Sequence, residues 1–147
     1  MSSNNKTFNL PQGFTKLLVQ GASNAMHSQT IELTGSALSN SITLTSAARS
    51  SGSATTTVPM TVSTDGPQIN DLVAIVEGIS ATDTFTVALS YTPSGGSATA
   101  SSGVKFETYR LGQPTTNAPV VAQVFSSDDT GTHLDYNDAQ LFLSYLP

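Results

Sequence analysis

Apolar side chains recur at every second position along much of the chain. Ile31 and Leu33 alternate with Thr30, Glu32 and Thr34, and Ile42 and Leu44 alternate with Ser41, Thr43 and Thr45. Phe85, Val87, Leu89 and Tyr91 give the longest clean run, and Val104 and Phe106 start another. A period of two is that of a half-buried β-strand. Val58, Met60 and Val62 alternate in the same way, but Pro59 has no N–H to give a neighbour, which predicts an edge strand there. Leu72 to Val76 and Val120 to Val124 are more continuously apolar, which predicts strands buried on both faces. Helical spacing is nearly absent.

Turn signals separate these runs: Gly35-Ser36, Ser50-Ser51-Gly52, Asp65-Gly66-Pro67 and Pro93-Ser94-Gly95-Gly96-Ser97. Many short strands between such turns predict an all-β sandwich or barrel. The low-complexity stretches Ser46 to Thr57 and Ser94 to Gly103 read as long hairpin loops rather than domain boundaries. Residues 1–147 therefore form one expected domain.

Composition narrows the function classes. The chain is 37% hydrophobic and only 10% charged, with a net charge of -5. Disordered chains combine low hydrophobicity with high net charge, so folded β structure with Ser and Thr on its wet face fits better. There is no cysteine, which excludes disulfides and thiolate chemistry. Lys6, Lys16, Arg49, Lys105 and Arg110 are scattered and form no stripe that would neutralise phosphates, so no nucleic-acid partner is expected. The same scarcity argues against an anionic membrane surface. No apolar run approaches the ~20 residues of a spanning helix, so membrane insertion is not expected. The start, Met1 to Lys6, lacks the apolar segment of a secretory signal. The expectation is cytoplasmic synthesis, with later release or surface attachment, or else a sequence already matured.

One stretch departs from this sparse charge. Four of the ten acidic residues, Asp128, Asp129, Asp135 and Asp138, lie within eleven positions, with Asn137 among them. Such clustering costs repulsion unless a cation compensates it. Calcium takes ~6–8 oxygen ligands from carboxylates, amide carbonyls and water, which is the donor type available here. A solvated turn rich in Asp and Asn is the plain alternative. The spacing is not that of an EF-hand, because no Asp-x-Asp-x-Asp-Gly run with a closing Glu is present. Hydrolase and phosphate-loop motifs are absent as well. Asp128 and Asp138 are a poor glycosidase pair, since carboxylates in one loop more often share a metal than divide acid and base roles. An enzyme is not expected.

Asp135-Tyr136-Asn137-Asp138-Ala139, followed by an apolar C-terminal strand, resembles the signature of the bacterial calcium-dependent fucose/mannose-binding lectins (LecB type). A second segment, Phe8-Asn9-Leu10-Pro11 with Val19, Ala22, Asn24 and Gln29-Thr30 following at similar spacing, resembles that family's opening strands. The two segments together cover about a third of the chain. The resemblance implies a single-domain, antiparallel Greek-key β-sandwich with two adjacent calcium ions that ligate sugar hydroxyls directly. By position, Asp135, Asn137 and Asp138 fall on metal ligands, and Asp135 and Asp138 on the pair that bridges both ions. Asp135 and Asn137 also fall at the bound sugar. Asp128 falls on a further acidic ligand, and Asp129 on the neighbouring acid that hydrogen-bonds the sugar. Asn24 falls on an asparagine that lends its backbone carbonyl to one ion. Ala25, Met26 and His27 then fall on the short loop that sets monosaccharide preference.

Three departures modify this picture. The acidic loop is one residue longer than in the family, so Asp128 and Asp129 could exchange places with a neighbour. His133 stands where the family has a bidentate aspartate, and imidazole is a poor calcium ligand. One ion is then expected to be weaker, differently coordinated or missing, with His133 left beside the sugar. The chain ends at Pro147, one residue short, which puts in question the terminal carboxylate that reaches a neighbour's calcium, although Pro147 is still the candidate for it. The expected partners are mannose- or fucose-containing glycans, bound by a homodimer or higher homo-oligomer. Because calcium ligands must be deprotonated, sugar binding is expected to fade as pH falls through the carboxylate range. The rival expectation is a structural or adhesive β-sandwich that uses calcium only as a staple.

Overall fold

The structure is a computed structural model that describes residues 5–10, 12–49, 57–64, 68–93, 95–100, 103–110, 121–128 and 138–147. Two antiparallel sheets face each other. In the first, β1 (Asn5–Asn9), β9 (Thr84–Thr92), β3 (Ser28–Gly35), β4 (Ile42–Ser46) and β6 (Thr61–Ser63) lie side by side in that order, and β10 (Thr99–Ala100) pairs with β9. The second runs β11 (Gly103–Arg110), β12 (Val121–Asp128), β13 (Ala139–Leu146), β2 (Lys16–Ser23), β8 (Val73–Val76) and β7 (Gln68–Asn70), and β5 (Val58–Pro59) pairs with β2. Long connections place β9 between β1 and β3, and β13 beside β2, the interlocked order of a Greek-key sandwich. Among the described residues no helix is long and apolar enough to cross a membrane.

The alternation read from the sequence sets which face is buried. Ile31, Leu33, Ile42, Leu44, Phe85, Val87 and Leu89 point inward from the first sheet. Leu17, Val19, Phe125, Leu141, Leu143 and Tyr145 meet them from the second. The run from Leu72 to Val76 behaves differently from its expectation. Ala74 and Val76 are buried, whereas Val73 and Ile75 are half-buried and Leu72 is 41% exposed. Among the described residues no layer fully covers the outer face of that sheet, so β8 buries one side fully and the other only in part. The side chains of Val121 to Val124 lie outside the described residues, as does most of the Ser46-to-Thr57 stretch. The Ser94-to-Gly103 stretch is a tighter hairpin than expected, because Tyr91 already pairs with Thr99. Its turn is closed by the Gly96 amide on the Pro93 carbonyl at 2.9 Å.

The run from Val58 to Val62 divides between the sheets. Pro59 pairs with Ala22 at an edge of the second sheet, as its missing N–H requires, and Val62 pairs with Leu44 in the first. Met60 crosses between them, fully buried, and its amide donates to the Gly21 carbonyl at 2.9 Å. Gly21 makes this crossing possible. A Cβ there would meet Leu44 Cδ2 at 2.7 Å and Met60 Sδ at 3.2 Å.

Aromatic rings join the sheets at the β1 side. Phe8 stacks on Phe85, its register partner, and on Phe106 of the opposite sheet, with ring centroids 5.4 Å and 5.8 Å away. Phe125 packs against both Phe8 and Phe106. At the other side of the core Tyr145 packs against Phe14 and is fully buried. Its hydroxyl has no hydrogen-bond partner among the described residues, and burial pushes the phenol well above its ordinary pKa, so it stays protonated. A buried hydroxyl without a partner costs about 1–3 kcal/mol. Tyr145→Phe is therefore expected to raise stability by roughly 1 kcal/mol in thermal melting. A loss of stability would reveal a partner for the hydroxyl.

Candidate functional site

The site is built where the β3–β4 hairpin meets the start of β13. In the hairpin Gln29 pairs with Ser46. Met26 lies three residues before Gln29 and Arg49 three beyond Ser46, so the register brings these two opposite each other. The Arg49 amide donates to the Met26 carbonyl at 2.8 Å, which extends the ladder past the end of the strands. From there the Arg49 side chain reaches back along the loop. Nε donates to the Ala25 carbonyl at 3.1 Å and Nη2 to Asn24 Oδ1 at 3.4 Å.

The loop is tied on its other side to Asp138. In the second sheet Ala139 pairs with Ser23, which sets Asp138 beside Asn24. The Asp138 main-chain carbonyl accepts from Ser23 Oγ at 2.7 Å and from the Asn24 amide at 3.3 Å. Asp138 is only 9% exposed, a charged residue at the margin of the core. Ser127 pairs with Ala139 in the same sheet, so the main chain of Asp128 ends next to that of Asp138. The acidic loop thus leaves β12 and re-enters β13 at one edge of the site. Its interior residues Asp129, His133, Asp135 and Asn137 lie outside the described residues.

The candidate residues that are described fall into two groups. Asn24, Ala25, Met26, His27 and Asp138 come together, and the main chain of Asp128 joins them. Ala25 is 4% exposed, so its methyl is turned inward and its carbonyl is taken by Arg49. Met26, at 46%, is the apolar side chain that the loop offers to solvent. The His27 ring stacks on Tyr91 with centroids 5.6 Å apart and planes 23° off parallel. Its carbonyl accepts from Gln29 Nε2 at 3.3 Å. Pro147 lies at the far end of β13, roughly 30 Å of extended chain from Asp138.

Ser23, Arg49 and Tyr91 were not singled out from the sequence. Arg49 carried a signal in principle, since counting outward from the Thr30–Ile31 and Leu44–Thr45 alternation places it opposite Met26. The described donors are hard oxygens, the Asp138 carboxylate with the Asn24 carbonyl and side-chain amide, and these suit calcium rather than a softer metal. Among the described residues no group of three or more His, Asp and Glu side chains gathers; Asp129, His133 and Asp135 lie outside them.

No protein-family model matches the sequence, and no curated protein matches it. Solved structures do. The C-terminal domain of the BC2L-C lectin from Burkholderia cenocepacia superposes with a TM-score of 0.60 at 17% identity, covering 99% of this chain and 99% of that one. A Ralstonia solanacearum high-affinity mannose-binding lectin superposes with a TM-score of 0.54 at 18% identity, covering 96% of each chain. Over almost its whole length, then, this chain has the β-sandwich fold of these bacterial lectins.

Proposed function

We propose that the chain is a carbohydrate-binding lectin in which protein-bound calcium coordinates the hydroxyls of mannose- or fucose-type sugars. One observation carries the reading. Two segments from opposite ends of the sequence, each singled out by its resemblance to such lectins, meet where Ser23 and Asn24 bind the Asp138 carbonyl. The lectin fold of the neighbours supports sugar binding, and one of them is by name a mannose-binding protein.

In this reading the Asn24 carbonyl, Asp128, Asp135, Asn137 and Asp138 hold one or two ions. Bound calcium supplies open coordination positions that two adjacent sugar hydroxyls fill in place of water. The chain's own residues position these ligands. The bonds from Ser23 and Asn24 fix the main chain at Asp138, from which its carboxylate projects. Met26 offers an apolar contact beside the ring, and Asp129 and His133 supply polar groups on the acidic side. One site per chain gives modest avidity, which favours a homo-oligomer, and Pro147 of a neighbouring copy is the candidate for a shared ligand.

Thermal melting separates this reading from a calcium-stapled structural or adhesive module. Calcium raises the midpoint in either case. Mannose or fucose added at about 100 times its Kd is expected to add roughly 2.7 kcal/mol, a shift of several degrees, only if the site binds sugar. A calcium response with no response to any monosaccharide would favour the structural module.

A further inference from the structure

Arg49 is not among the residues that the resemblance assigns, yet its donors grip the loop at three consecutive residues. Its amide binds the Met26 carbonyl at 2.8 Å, Nε the Ala25 carbonyl at 3.1 Å and Nη2 the Asn24 side chain at 3.4 Å. Asn24 in turn donates its amide to Asp138. A guanidinium stays charged at any physiological pH and holds two acceptors in a fixed fork. It is thus a permanent cation, one residue removed from a nearly buried carboxylate at the entry to the acidic loop.

We propose that Arg49 is a built-in counter-cation of the site: it holds the 24–26 loop in shape with no metal present and, by its charge, weakens the binding of calcium. The second half rests on the calcium reading; the first does not. Order without metal follows from the three bonds, which span both sides of the loop and connect it to β13 through Asn24. Weakened calcium binding follows from like charge. A fixed unit charge beside a partly solvated divalent-ion site opposes binding by roughly tenfold. The chain then exchanges part of its calcium affinity for a sugar loop that is already formed, which lowers the ordering cost of sugar binding.

The test compares the full chain with Arg49→Gln and Arg49→Lys. Hydrogen exchange at the Asn24 and Arg49 amides is read in metal-free protein, and calcium alone is titrated by calorimetry. Arg49→Gln is expected to speed exchange at both amides by about tenfold or more and to tighten calcium binding by roughly tenfold. Arg49→Lys keeps the charge but not the fork, so its exchange should quicken while its calcium affinity stays near that of the parent chain. Unchanged exchange in both variants would overturn the latch. Calcium affinity that is unchanged or weaker in Arg49→Gln would overturn the charge role. If calcium binds Arg49→Gln but not the parent chain, the charge role is supported in its strongest form. If calcium binds neither, the calcium reading and the charge role fall together, while the exchange data still decide the latch.

Discussion

Asp138→Asn is expected to abolish calcium-dependent sugar binding while leaving the fold intact. The substitution is selective in that it keeps the main-chain hydrogen bonds at this position. Ser23 Oγ and the Asn24 amide both bind the Asp138 carbonyl, which an asparagine retains. The carboxylate charge, which a calcium ligand needs, is lost. Even residues that merely orient a metal ligand typically cost 10–100-fold in affinity when changed, so a ligand itself should cost about 100-fold or more. Calorimetric titration of calcium, followed by mannose, reads both effects. Sugar binding at parental strength in Asp138→Asn would remove this residue from the site.

Phe8→Ala carries the largest expected effect on stability. The ring is buried and touches Phe85 in its own sheet and Phe106 and Phe125 in the other. Removing it takes away both its burial and the centre of the cluster that joins β1 to β11. Truncating a buried phenylalanine costs about 3–5 kcal/mol. For a chain of 147 residues this corresponds to a fall on the order of 10 °C in midpoint. Phe8→Leu, which keeps most of the volume, should recover a large part of the loss. A fall of only a degree or two for Phe8→Ala would mean that the surrounding rings close over the gap. Sugar binding measured well below the new midpoint should be unchanged, since Phe8 contributes to the core and not to the loop.

The two effects mirror what can be read from a sequence. Strands with one wet face announced themselves through Ile31 and Leu33 or Phe85 to Tyr91, because burial of alternate residues is a one-dimensional pattern. The path of the chain between sheets did not. The Val58-to-Val62 alternation reads as one strand, but Met60 passes through the core at Gly21 and splits it, and only the packing shows that a residue without a Cβ is needed there. Leu72 to Val76 looked buried on both faces because hydrophobicity alone does not say whether a second layer covers the sheet. At the candidate site, Asn24 and Asp138 stand within local motifs that a sequence displays. Arg49 was legible only as one of five scattered bases, since its role arises from a hairpin register and from a side chain that reaches back over the loop. Tyr91 belonged to a strand pattern, and its contact with His27 follows from the pairing of β3 with β9, which no local spacing encodes.

Calcium dependence of sugar binding is the central claim, and it reduces to a single comparison. The chain is titrated calorimetrically with mannose and with fucose, once in calcium and once after exhaustive chelation. Saturable heat for at least one of the two sugars in calcium, lost on chelation and restored when calcium is returned, is the predicted result. Sugar binding that persists undiminished after chelation would contradict it.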